Sequence, residues 1–181
     1  TLFHTLYQKD QLPLPSEEAE LAMYLMLIEE MEAHGYRQYE ISNFAKPGYE
    51  SRHNCTYWLN DEYYGLGAGA HGYVNGERHV NAGPLAVYMR MGQEGLPRVE
   101  QFAVSREDAM EEQMILGLRL RDGVNLARFA ERFGVTAEQV FGPVIDEEVA
   151  KGMLERVDGH LRLTKQALPL GNEVFARFLR D

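Results

Sequence analysis

The segment from Ser51 to Tyr73, SRHNCTYWLNDEYYGLGAGAHGY, restricts the fold more than any other part of the chain. It holds the only tryptophan and the only cysteine, together with two histidines, four tyrosines and a run of alternating glycines. Aromatic side chains favour a packed strand, whereas glycines weaken a strand unless another backbone or a ligand approaches closely. The residues therefore predict a glycine-rich strand. Tight packing against another strand and close approach of a ligand both stay open as the reason for the glycines.

Composition excludes several classes of protein. The chain of 181 residues is 45% hydrophobic and 25% charged, which is typical of a soluble globular protein with one large or two small domains. No apolar run approaches the roughly 20 residues that a membrane span needs. The net charge of −10 argues against a protein that binds nucleic acid. A single cysteine cannot form an internal disulfide, which favours a reducing cytoplasm.

Helix and strand signals divide the first half of the chain into short elements. Ser16 is a good N-cap, and Gly35 suits the position after the last turn of the helix that follows. This helix and the strand after it fit a piece of an α/β layer. The next predicted elements are a strand at Tyr36–Ser42, a loop at Asn43–Gly48 and short strands within Tyr63–Val80, broken by Gly72 and turned at Asn75-Gly76.

From about Val99 the pattern becomes mainly helical. Ser105 predicts the start of a helix that runs toward Leu118, and Asp158-Gly159 between alternating residues predicts a hairpin. Helices followed by a hairpin and a final helix are typical of a winged-helix-like module. The other predicted helices are Asn125–Phe133, Thr136–Lys151 and Lys165–Leu179, the last interrupted by Pro169 and Gly171.

Several functional interpretations of these residues compete. Gly65–Ala70 matches a dinucleotide fingerprint formally, but the residues after it do not begin a helix, so that interpretation is poor. A zinc site would need His53, Cys55, His71 and His79, whose spacings match no common zinc pattern. A winged helix could bind DNA, but residues 101–181 show no excess of positive charge.

His53 is the strongest candidate for chemistry in the chain. An isolated histidine usually has a structural role, but here Asn54, Tyr57 and Trp58 place an amide and two flat rings beside a neutral nitrogen donor. Such a set suits a large planar ligand with a metal at its centre. On spacing alone, the structural role and the ligand-binding role stay equally open.

Four blocks of sequence resemble one family. Tyr39–Ala45 (YEISNFA), His53–Trp58 (HNCTYW), Gly65–His71 (GLGAGAH) and Asn172–Phe175 (NEVF) are similar to the oxygen-independent coproporphyrinogen III oxidase-like radical S-adenosylmethionine proteins. The pattern HNxxYW resembles the heme-chaperone branch of that family. The order and spacing of the blocks agree along the whole chain. One departure is Gly72, which stands where the family usually has serine.

The resemblance implies a chain of α/β plus α+β class that is the carboxyl-terminal half of a longer protein. Residues 1–98 would be the end of a partial radical-SAM α/β barrel, and residues 99–181 a helical, winged-helix-like carboxyl-terminal domain. The family's other half would hold a 4Fe–4S cluster and S-adenosylmethionine through a C-x₃-C-x₂-C loop, which Cys55 alone cannot supply. A half-barrel exposes a sheet edge, so we also expect some self-association.

The same resemblance implies roles for individual residues. His53 would be the axial ligand of heme iron, Asn54 would orient its ring, and Tyr57 and Trp58 would stack against the porphyrin. The chemistry of the residues adds weaker candidates beside those of the resemblance. Arg52 and Arg78 suit the heme propionates because arginine pairs with carboxylates, and solvated surface charge is at least as good an explanation of both. Cys55 is an alternative iron ligand, and Gly67, Gly69 and His71 would lie near the cofactor.

The implied function is that of a heme chaperone, which holds heme and delivers it to acceptor proteins. The alternative is oxygen-independent oxidative decarboxylation of coproporphyrinogen III, with the chemistry in the missing half, so that this part would be inactive alone. A winged-helix regulator is a third interpretation. The first two both place a tetrapyrrole on the protein.

Overall fold

In the computed structural model, which describes residues 2–180, short helices alternate with short antiparallel strands. Thr1 and Asp181, the outer limits of the two predicted domains, lie outside the described residues. The α-helices are α1 Leu2–Gln8, α2 Glu17–Ala33, α3 Arg52–Trp58, α4 Leu85–Glu94, α5 Arg106–Gly117, α6 Leu126–Phe133, α7 Ala137–Ala150 and α8 Gly171–Ala176. None of these helices within residues 2–180 is long and apolar enough to cross a membrane.

The strands form three small sheets, and every pairing among residues 2–180 is antiparallel. One sheet pairs β1 with β2, the second has the order β3-β4-β5, and the third has the order β6-β8-β7. Their bounds are β1 Arg37–Glu40, β2 Asn43–Ala45, β3 His71–Val74, β4 Glu77–Asn81, β5 Arg98–Ala103, β6 Val124–Asn125, β7 Leu154–Val157 and β8 His160–Leu163.

Local signals account for most of the predicted elements. The Ser16 hydroxyl accepts a hydrogen bond from the Ala19 amide at 3.3 Å and begins α2, and Gly35 follows the helix with a φ of 79°. Both predicted hairpin turns have positive φ at their two central residues, as a type I′ turn requires. These turns are Asn75-Gly76 between β3 and β4, and Asp158-Gly159 between β7 and β8.

The predicted loop at Asn43–Gly48 is wrong in its first half, because Asn43–Ala45 forms β2 and pairs with β1. The reason is the carboxylate of Glu40, which is fully buried. Its Oε2 accepts hydrogen bonds from the Ser42 amide at 3.0 Å and from Asn43 Nδ2 at 2.6 Å. These bonds hold the turn between the two strands in place.

Glu40 also joins the first half of the chain to the second. Arg119 Nη2 lies 2.6 Å from Glu40 Oε1, an ion pair whose angles are not those of a hydrogen bond. Beside it, the Ile41 amide donates to the Arg119 carbonyl at 3.1 Å, and the Arg121 amide donates to the Tyr39 carbonyl at 3.0 Å. The strand β1 is therefore fixed to the segment that follows α5.

The apolar core lies almost entirely in the second half of the chain. Ser105, Asn125 and Thr136 cap helices α5, α6 and α7, as the sequence predicts for helices in these places. The last predicted helix is interrupted, as expected, by a 3₁₀ helix at Lys165–Leu170 before α8. The largest fully buried apolar side chains of this core are Phe129, Phe178, Met114, Leu118, Ile145, Leu154 and Leu161.

Besides β2, several elements of the structure have no counterpart among the predicted ones. They are α1, α3, α4, β5 and β6, and β5 pairs with β4 across the predicted domain limit at residues 98 and 99. Helix α2 was predicted, but it buries none of its residues, and Leu21, Leu25 and Leu27 are more than two-fifths exposed. The division into two domains stays a prediction.

Candidate functional site

The HNCTYW segment forms the short helix α3, an element that the sequence analysis did not assign. Ser51 caps it, because its hydroxyl accepts a hydrogen bond from the Asn54 amide at 3.3 Å. Residues four apart share a face of a helix. His53 and Tyr57 therefore lie on one face of α3, and Asn54 and Trp58 lie on the next.

The first of these faces lines an open cavity of about 450 Å³. Tyr64 and Leu66 at its rim are 74% and 87% exposed, which is unusual for large apolar side chains that stand together. His53 is exposed and can reach a ligand from the cavity wall. The side chains that line it include His53, Tyr57, Tyr63, Tyr64, Leu66 and His71.

Three rings of this wall contact one another in a row. Tyr57 Oη lies 2.8 Å from His53 Nε2, and the two ring centroids are 4.9 Å apart in an edge-to-face arrangement. Tyr57 in turn meets Tyr63 edge-to-face, with centroids 4.5 Å apart. The hydrogen bond and the ring contacts fix the orientation of the imidazole in the cavity.

The glycine-rich segment is an irregular loop, so the predicted strand at residues 65–70 is wrong. Gly67 and Gly69 have φ values of 108° and 70°, which favour glycine for conformational reasons. The side chain of Asn81 holds the loop, because its Nδ2 donates to the carbonyls of Gly65 and Gly67 at 3.0 Å each. Gly67 and Gly69 do not line the cavity, whereas His71 does.

Gly65 shows what comes close to the glycine-rich segment. A Cβ at Gly65 would lie 2.4 Å from the His71 carbonyl oxygen, so there the close neighbour is another stretch of backbone. This neighbour is backbone, but it meets a loop and not the packed strand that the sequence analysis expected. Gly65 also lines the cavity, so the approach of a ligand stays open.

Trp58 and Asn54 point away from this cavity, and neither lines it. The guanidinium carbon of Arg119 lies 4.5 Å from the centroid of the Trp58 ring, and the same arginine pairs with Glu40. Trp58 Nε1 is buried and has no hydrogen-bond partner within residues 2–180. The structure thus places Trp58 where it anchors α3 to Arg119.

The remaining candidate residues also lie outside the cavity. Arg52 is exposed at the start of α3. Arg78 is paired with Glu112 through Nε at 3.2 Å and Nη2 at 2.7 Å, so its positive charge is already neutralised. Burial and the nearby Glu50 raise the pKa of the Cys55 thiol, which disfavours the thiolate that iron would need.

His79 explains why glycine occupies position 72. Its ring is buried, and burial together with Arg98 lowers its pKa, so the imidazole is neutral at pH 7. The sequence predicts a strand break at Gly72, but Gly72 lies within β3, opposite His79 on β4, so that prediction is wrong. A Cβ at Gly72 would lie 2.2 Å from two ring atoms of His79 and 2.8 Å from the Gly65 amide nitrogen.

We expect Gly72→Ala to lower the free energy of unfolding by about 1–3 kcal/mol, because the added methyl group overlaps the His79 ring. Urea unfolding of Gly72→Ala, His79→Ala and the double variant measures the coupling. The substitution at Gly72 should cost less when His79 is already alanine. An equal cost in both backgrounds would contradict this explanation.

The residues present do not fit an iron–sulfur cluster. Such a cluster needs at least three thiolate ligands here, and the chain has one cysteine. No group of three or more histidine, cysteine or acidic side chains suited to a metal ion occurs in the described part of the chain, residues 2–180. His53 and His71 share the cavity, but His79 is packed against Gly72, away from them.

The segment directly after α3 is tied to helix α6, a contact that the sequence analysis did not predict. Arg128 forms an ion pair with Asp61, and Arg132 donates to the Asn60 carbonyl at 2.8 Å. Asn60 is 2% exposed and has a φ of 51°. The end of the motif helix is therefore held by the second half of the chain.

Comparison with known proteins gives one consistent result. Residues 104–170 match the family described as HemN C-terminal domain. The whole chain aligns with heme chaperone HemW from Bacillus subtilis at 47% identity and from Lactococcus lactis at 38% identity, and covers 48% of each protein. The chain thus spans about half the length of the curated relatives it matches, and it aligns with their carboxyl-terminal half.

A solved structure confirms the predicted fold class. The structure of coproporphyrinogen III oxidase (HemN) from Escherichia coli, a radical SAM enzyme, matches with a TM-score of 0.69. The match covers 91% of this chain and 42% of the enzyme. At 15% identity this likeness concerns the fold alone.

Proposed function

The chain belongs to the HemN-like radical S-adenosylmethionine family, in its heme-chaperone branch, and from this premise we propose that it is the heme-holding half of a heme chaperone. The longer protein would deliver heme to acceptor proteins. The observation that carries the proposal is the exposed imidazole of His53 on a cavity walled by aromatic side chains. The relatives that align along the whole chain carry the name heme chaperone.

The chemistry of the cavity fits heme as cargo. A neutral imidazole nitrogen is a common axial ligand for heme iron, and His53 offers one in an open position. Tyr57, Tyr63 and Tyr64 offer flat apolar surfaces to a porphyrin face, and Leu66 adds an apolar edge. The volume of about 450 Å³ lies within the range of small-molecule sites.

The openness of the cavity suits delivery as well as binding. Tyr64 and Leu66 are exposed, so a bound planar ligand would keep one side within reach of an acceptor protein. We propose that Arg52, exposed beside His53, pairs with a propionate, and that Asn54 and Trp58 support α3 from its other face. Arg78, already paired with Glu112, is not part of this proposal.

Other parts of the proposal concern the longer protein. The iron–sulfur cluster and S-adenosylmethionine would be held by residues outside this chain. The single cysteine of the chain supports a reducing, cytoplasmic location. Residues 1–98 would be the end of a partial barrel with the strands that follow it, and would self-associate at the open sheet edge, while residues 99–181 would form the second domain. Decarboxylation of coproporphyrinogen III remains the second candidate, because the similar fold is that of an enzyme with this substrate in its name.

Titration of the chain with hemin tests the proposal. We expect His53→Ala to weaken hemin binding at least about tenfold, because the iron loses its nitrogen ligand. The visible absorption band of the complex should shift at the same time. His34→Ala is the matched control, because His34 is also exposed but does not line the cavity.

Equal affinity of wild type and His53→Ala would contradict the proposal. His71 lines the same cavity, so His71→Ala and the double variant show whether the second imidazole contributes to the remaining affinity. Decarboxylation of coproporphyrinogen III by the longer protein would favour the second candidate.

A further inference from the structure

The hydroxyl group of Tyr57 forms a hydrogen bond with Nε2, the outer ring nitrogen of His53. The distance between Tyr57 Oη and His53 Nε2 is 2.8 Å, and the two residues are one helical turn apart on α3. The contact is exposed at the surface of the cavity. Tyr63 packs edge-to-face on the Tyr57 ring and keeps this ring beside the histidine.

The outer nitrogen is also the one that a heme iron would need. Nδ1 of a histidine is bonded to Cγ and lies close to its own backbone, which here is a helix. A porphyrin centred on Nδ1 would overlap α3, because the macrocycle extends several ångströms on every side of the iron. Nε2 is at the end of the ring and can hold a porphyrin away from the helix.

We propose that Tyr57 competes with heme iron for His53 and thereby lowers the affinity of the protein for heme. This inference rests on the proposed function. In the free protein the Tyr57 hydroxyl donates a hydrogen bond to the Nε2 lone pair. Heme binding breaks that hydrogen bond and forms an iron–nitrogen bond with the same lone pair. The proton stays on the Tyr57 oxygen, no electron is transferred, and release of heme is the reverse exchange.

Competition of this kind suits a protein that transfers its ligand. When iron leaves His53, the nitrogen immediately regains a hydrogen-bond donor, so the empty state is stabilised relative to a bare imidazole. The same contact would have the opposite effect if Nε2 donated its proton to Tyr57, since Tyr57 would then orient the ring for binding through Nδ1. The two arrangements predict opposite changes in affinity.

Tyr57→Phe distinguishes them, because it removes the hydroxyl and keeps the ring contacts with His53 and Tyr63. We expect this variant to bind hemin about three- to tenfold more tightly, which is the factor that one modest hydrogen bond represents. Transfer of hemin from the variant to excess apomyoglobin should slow by a similar factor. Unchanged or weaker binding by Tyr57→Phe would overturn the inference.

Two controls separate this inference from the proposed function. Tyr49→Phe removes the hydroxyl of an exposed tyrosine that does not line the cavity, and its hemin affinity should equal that of wild type. In a His53→Ala background the effect of Tyr57→Phe should vanish, and its persistence would overturn the competition. If His53→Ala binds hemin as tightly as wild type, both the inference and the proposed function fail.

Discussion

Replacing Glu40 by alanine is expected to lower the free energy of unfolding by about 3 kcal/mol, the largest loss that we expect from removal of one charged side chain. The carboxylate is fully buried and accepts from Ser42 and Asn43 while it pairs with Arg119. Its removal leaves those donors without their acceptor inside the protein. Urea unfolding, monitored by circular dichroism, measures the difference.

Glu155→Ala is the matched control for this experiment. Glu155 also pairs with an arginine, Arg162, at 2.8 Å, but the two side chains are 42% and 34% exposed. An ion pair in water contributes less than about 1 kcal/mol. If the two substitutions cost the same, the burial of Glu40 would have no special importance.

The effect of Glu40 should reach the candidate site. Arg119 is held by Glu40 on one side and lies over the Trp58 ring on the other. Trp58 ends the helix that carries His53. The pair of Glu40 and Arg119 is therefore a support for α3 as well as a link between the two halves of the chain.

Gly123→Ala is expected to cost about 3 kcal/mol, for two reasons that add. Gly123 has a φ of 78°, which is unfavourable for alanine by about 1–2 kcal/mol. A Cβ there would also lie 2.2 Å from the Leu161 carbonyl oxygen, and relief of such overlap costs about 1–3 kcal/mol more. Leu161 pairs with Val124, so the strain would act on the sheet formed by β6 and β8.

Gly134→Ala separates the two causes. Gly134 follows α6 with a φ of 67°, but nothing lies within 4 Å of the position that its Cβ would take. We expect it to lose only the backbone contribution, about 1–2 kcal/mol in urea unfolding. Equal losses at Gly123 and Gly134 would mean that the overlap with Leu161 is relieved at no cost.

The elements that the sequence predicts well are those whose causes are local. Ser16, Ser105 and Thr136 each accept a hydrogen bond from an amide three residues on, so a helix start can be read from a few letters. Asp158-Gly159 defines its hairpin in the same way. Each signal lies within one turn of the chain.

Helix α3 has a local start signal but is too short to be predicted from it. Its cap, Ser51, stands directly before it, but seven residues give too little apolar periodicity to indicate a helix. With the helix recognised, the shared face of His53 and Tyr57 would have followed from their spacing. The sequence therefore predicts the histidine and the tyrosine as candidates, but not the hydrogen bond between them.

Other features could not be read from neighbouring residues. Glu40 and Arg119 are far apart in the sequence, and so are Asp61 and Arg128. A charged residue in a sequence does not show which opposite charge it will meet. For the same reason Arg78 was a reasonable partner for a propionate until its pairing with Glu112 was known.

The contacts of Asn60 and Asp61 fix α3 at its carboxyl-terminal end only. Arg128 and Arg132 hold its carboxyl-terminal end against the well-packed half of the chain, whereas its amino-terminal end depends on the Ser51 cap. His53 stands at that freer end, one turn before Tyr57. Fraying of the first turn would move the imidazole without disturbing the core around Phe129, so the proposed heme ligand can change its position while the rest of the protein stays folded.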